Sequence, residues 1–97
     1  MIIICIDGRQ HFEQVQKWKS PEKQHHNDVF KTISALEEGY SVIRFFQEDV
    51  WKSRIDWKNI IVHEIEIQSN VGRLILVSKN NVYDKIGKCF PDAIFKK

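Results

Sequence analysis

The sequence predicts a small α/β domain, a sheet flanked by helices in the order β-α-β-α-β-α, and three observations predict it. Apolar, β-branched runs at residues 2–6, 40–46 and 73–77 have the length and make-up of strands. Between them lie stretches whose apolar residues recur every three or four positions, as on one face of a helix. Caps and breakers divide the two kinds, with Ser20-Pro21, Gly39, Ser69-Asn70 and Pro91 as punctuation. Strands alternating with helices call for helices packed on a sheet.

The first strand is Ile2-Ile3-Ile4-Cys5-Ile6, closed by Asp7-Gly8. A polar stretch with Phe12, Val15 and Trp18 follows. Ser20 then supplies a hydroxyl N-cap, Pro21 the fixed φ of a first helical residue, and Glu22 an acid in the first turn. This helix should run to residue 38 and stop at Gly39, which enters the left-handed region freely. Val29, Phe30, Ile33 and Leu36 form its core-facing stripe, with Asp28, Thr32 and Ala35 on the adjacent one. Residues 40–46 form the second strand around Arg44, and residues 47–51 a turn or a single helical turn. Asp56 can cap a helix reaching about residue 68, whose Trp57, Ile61 and Ile65 share a face. The third strand, residues 73–77, leads to a short helix with Val82, Tyr83, Ile86 and Cys89. Pro91 ends that helix, and Lys96-Lys97 reads as a frayed basic tail.

With 97 residues and no repeats, linkers or low-complexity segments, residues 1–97 make one domain. Hydrophobic residues at 42% are enough for a globular core and exclude intrinsic disorder as the default. The net charge of +2 permits a nucleic-acid partner without demanding one. Two cysteines with no CxxC fit a reducing, intracellular setting, cytoplasm or nucleus. The apolar start is too short for a signal peptide or membrane span, so a soluble protein with no membrane partner is expected.

Chemistry concentrates where the first strand ends. Asp7 and His11 stand four residues apart across a glycine, a spacing that can set a metal-ligating acid beside a proton acceptor. The plainer reading of Asp7-Gly8 is a tight turn. Arg9, Lys17, Trp18, Lys19 and Lys23 bracket this point; lysines can meet phosphates and an indole can stack on a base. The same residues also suit a solvated lysine-rich loop with Trp18 laid on the core. His25 and Asp28 share a helix face, more in keeping with a surface ion pair than with zinc. Glu48 and Asp49 suit a helix start, and Cys5 a core thiol.

The string I-D-G-R-Q-H-F, the D-x-x-K of Asp28 to Lys31, and G-Y-S-V-I-R-F-F-Q-E-D-V from Gly39 to Val50 resemble a known superfamily. It is the PD-(D/E)xK restriction-endonuclease-like group, in the branch of very-short-patch-repair and EDxHD-type homing endonucleases, which includes large-DNA-virus proteins. Three separated motifs fall in order over residues 2–56. The resemblance implies a small restriction-endonuclease-like sheet, N-terminally minimal, and a metal-dependent DNA endonuclease or nickase. It makes Asp7 the ligand of Mg²⁺ (or Mn²⁺) and His11 the imidazole handling a proton or the scissile phosphate. Gln10 is the polar residue before it, Asp28 the supporting helix acid, and Arg44 the arginine of the following strand, counted with the nucleic-acid contacts. Metal at Asp7 would neutralise charge on the phosphorane-like transition state and the leaving oxygen. Neutral His11 would take the proton of water. The family carries a glutamate two residues before the aspartate, where this chain has Cys5. Two readings therefore stand: a nuclease acting on DNA without a small-molecule cofactor, or a catalytically degraded module that binds nucleic acid or a protein. A small core also gains from a homodimer.

Overall fold

The computed structural model describes residues 1–9, 20–67 and 71–97, with Pro21 described by its backbone. Four strands form one sheet in the order β1-β2-β3-β4: β1 (Ile2–Asp7), β2 (Ser41–Phe46), β3 (Leu74–Val77) and β4 (Ile94–Lys96). Every neighbouring pair is parallel, with Cys5 opposite Arg44 and Arg44 opposite Leu76. The helices are α1 (Pro21–Glu37), α2 (Gln47–Trp51), α3 (Trp57–Ile67) and α4 (Asp84–Gly87).

The sequence-derived order holds through α4, and the tail departs from it. Ile94–Lys96 form β4, which pairs with β3, so Lys96 of the tail expected to fray is held in the sheet while Lys97 follows it. A three-residue strand is too short to show a period of two, so only the waiting edge of β3 defines it. The approach is close: a Cβ on Gly87 of α4 would run into the Phe95 ring. The expected stop of α1 is in place, with Gly39 at φ +87° and its N–H donating to the Leu36 carbonyl. Ser20 caps the other end, accepting from the Lys23 N–H at 3.4 Å.

Side chains alternate across the sheet and build two cores. On one face Val42, Phe46, Leu74 and Leu76 pack with Tyr83 and Ile86 under α1 and α4. On the other, Ile43, Phe45, Ile75 and Val77 pack with Ile55 and with Ile60 and Ile61 of α3. The strands follow one another across the sheet, yet α1 and α4 cover one face and α3 the other. The crossovers therefore cannot all share one hand, although parallel crossovers are nearly always right-handed. No helix among the described residues is long and apolar enough to cross a membrane.

Two helix faces differ from expectation. Phe30 of α1 is 72% exposed and Ile33 also faces outward, while Asp28 and Thr32 are buried. The polar stripe thus meets the sheet, flanked by Val29, Ala35 and Leu36. On α3 the buried residue is Glu64, with Ile60 and Ile61 beside it, and Trp57 and Ile65 lie outside. In both cases a buried arginine or ion pair overrides the apolar pattern. Arg44 draws in Asp28, and Arg73 pairs Nε to Glu64 Oε2 at 2.9 Å.

Candidate functional site: a buried arginine between two carboxylates

Arg44 sits in the middle of β2 and points to the α1 face, where an unpaired guanidinium would be prohibitively costly. It is 4% exposed, and each of its three nitrogens has a partner. Nε donates to Asp7 Oδ2 at 2.8 Å and Nη2 to Asp7 Oδ1 at 2.8 Å, a bidentate pair across adjacent strands. Nη2 also lies 3.1 Å from Asp28 Oδ1, and Nη1 donates to Thr32 Oγ1 at 3.1 Å. The Thr32 hydroxyl donates in turn to the Asp28 carbonyl at 2.7 Å. From α1, Gln24 Nε2 donates to Asp28 Oδ1 at 3.2 Å, and from the start of α4 the Tyr83 hydroxyl donates to Asp7 Oδ2 at 2.9 Å.

Burial alone would lower the pKa of Arg44; the hydrogen bonds to Asp7 and the charges of Asp7 and Asp28 outweigh it and raise the pKa. Burial, then the Asp7 charge and hydrogen bond, push the Tyr83 phenol well up. Burial also raises the Cys5 thiol, against the pull of Arg44. A cavity of about 340 Å³ adjoins this network, walled by Cys5, Asp28, Lys31 and Arg44 among others.

Asp7 and Asp28 are therefore brought together, and the cation between them is a side chain. Gln10, His11, Lys17, Trp18 and Lys19 lie outside the described residues. Arg44, counted among the nucleic-acid contacts, is interior and meets carboxylates, because the sheet leaves it no path to solvent. Arg9 and Lys23 are exposed. Tyr83 and Thr32 were missed as members of the cluster. A charged residue inside the apolar run of β2 was the available signal, since a buried arginine requires acceptors.

A hard dication takes an octahedral shell of oxygens. Both Asp7 oxygens already accept from Arg44, and no three His, Cys, Asp or Glu among the described residues gather to hold a metal. The described donors do not fit Mg²⁺ at Asp7. Asp49, expected at a helix start, stands in the first turn of α2, fully buried, where Oδ2 accepts from the Lys79 N–H at 2.9 Å. It ties α2 to the end of β3. His63 is exposed on α3.

No family model matches this chain, and no curated protein or solved structure is significantly similar to it.

Proposed function

We propose that this chain is a nucleic-acid-binding module of restriction-endonuclease-like type that has given up hydrolysis. The supporting observation is the set of exposed cations at the carboxyl end of the parallel sheet: Arg9 after β1, Lys23 at the start of α1, Lys79 after β3 and Lys97 after β4. Open α/β sheets bind their ligands at that end, and separated cations there suit a run of phosphates. Glu22 and Glu48 stand at the same end, so the attraction is local and modest. Hydrolysis is set aside because the strand-end acid serves Arg44.

The test is a gel shift with labelled duplex DNA, single-stranded DNA and RNA across salt concentrations. Binding should weaken steeply with salt, and Lys79→Ala or Lys97→Ala should each lower the salt slope by about one. No shift with any of them at about 50 mM salt overturns the proposal. The convergence of Asp7 and Asp28 favours the nuclease as second reading. Supercoiled plasmid in Mg²⁺ or Mn²⁺ should stay intact. Cutting that EDTA stops and Asp28→Asn abolishes puts that reading first.

A further inference from the structure

The two edges of the sheet are unlike. β4 is three residues long, ends in Lys96 and is followed by Lys97, the short, charged edge that resists further pairing. β1 is six residues long, with neither lysine nor proline, and no described strand lies on its outer side. The Met1 carbonyl accepts from the Ser41 N–H at 3.0 Å, with Ile2 paired to Ser41. In a parallel ladder of that register Ile3, Cys5 and Asp7 direct their backbone groups to β2. Ile2, Ile4 and Ile6 direct theirs outward.

The same residues leave apolar surface on the α3 face, which α3 does not reach across. Met1 is 85% exposed, Ile4 45%, Ile6 56% and Ile65 of α3 54%. A trough of about 600 Å³ runs between strand and helix, walled by Ile2, Ile4, Ile61, Glu64 and Ile65. The exposed apolar area amounts to roughly 400–500 Å², within the range of the largest, often functional, patch on a monomer. With the strand's own edge this approaches the ~600 Å² per partner at which specific interfaces begin.

We infer that β1 pairs antiparallel with β1 of a second copy of this chain, joining two sheets about a twofold axis at Ile4. The occupant follows from the symmetry of the strand. Read from Ile4 in either direction, Ile2 answers Ile6 and Ile3 answers Cys5. A twofold interface needs one surface complementary to itself. In this register Ile4 meets its own copy, and Ile2 meets Ile6 of the second chain. These are the residues with outward backbone groups, so each pair exchanges both N–H···O bonds. Ile6, outside the trough wall, enters the trough of the other copy beside Ile2, and the exchange is reciprocal. The inference is independent of nucleic-acid binding.

Sedimentation equilibrium on the purified chain should give a dimer. Ile4→Pro removes an outward N–H while Ile3 and Cys5 keep the bonds to β2; it should give a monomer with unchanged far-UV circular dichroism. Register is read by crosslinking. In a Cys89→Ser background Ile3→Cys sets its thiol opposite Cys5 of the second copy, a non-hydrogen-bonded pair with Cα atoms about 4.5 Å apart. Oxidation should link it, and should not link the chain carrying Cys5 alone, whose two thiols are diagonal neighbours about 7–8 Å apart. A monomer at every concentration overturns the inference, and so does a dimer that Ile4→Pro leaves intact. Crosslinking through Cys5 alone overturns the register.

Discussion

Replacing Arg44 with methionine tests whether the buried cluster is what holds one face of β1 and β2 to α1 and α4. Methionine keeps the length and packing of the stem and removes the fork. Asp7 then loses two charge-assisted bonds of 2.8 Å and keeps the Tyr83 hydroxyl at 2.9 Å. Asp28 loses its cation at 3.1 Å. Breaking a buried pair from one side costs about 3–5 kcal/mol, because the buried carboxylates lose the guanidinium that faces them. A domain of this size is stable by about 5–15 kcal/mol in total, so the loss is a large fraction of its stability. Replacing both partners differs from breaking the pair. Arg44→Met with Asp7→Leu should lose less than Arg44→Met alone, with a coupling of at least about 2 kcal/mol. Urea unfolding at pH 7 and fixed protein concentration, followed by circular dichroism, measures all four corners of the cycle. A loss below about 1 kcal/mol for Arg44→Met, or additive effects, would falsify the cluster as the organiser of this fold.

Other perturbations probe the same face. The Tyr83 phenol has a folded pKa raised above its unfolded value of 10.0. Its contribution is fully present below pH ~10 and falls away above it, by up to ~1.4 kcal/mol per pH unit; Tyr83→Phe should flatten that alkaline limb in urea midpoints. Cys5 is half-buried with a raised pKa and Cys89 is exposed, so at pH 8 a thiol reagent should modify Cys89 first, and Cys89→Ser should leave only the slow phase. Equal rates at the two thiols would contradict the burial of the β1 face. Phe30→Ala should change stability by less than about 0.5 kcal/mol, whereas Thr32→Val, which removes an acceptor of Arg44, should cost about 1–2 kcal/mol. The opposite ranking would restore the apolar stripe of α1 to the core.

The sequence by itself determined the alternation of strands and helices, since local signals carry it. Ser20-Pro21 and Gly39 bound α1 because cap and breaker act within a few residues. β2 and β3 are buried on both faces, and apart from Ser41 and Arg44 their residues are apolar because both faces are covered. Which face of a helix turns inward was decided only in three dimensions. Periodicity favoured Phe30 and Ile33, and Arg44 reversed the choice: a buried guanidinium without acceptors costs more than an exposed phenylalanine. β4 likewise exists because β3 offers it a ladder. The meeting of Asp7 and Asp28 was legible as one acid at a strand end and another on the helix that follows. The cation they share was not, because no local pattern links Asp7 to Arg44 or to Tyr83, separated by 37 and 76 residues. Long-range electrostatics within the fold, acting on groups that share no local period, made that choice.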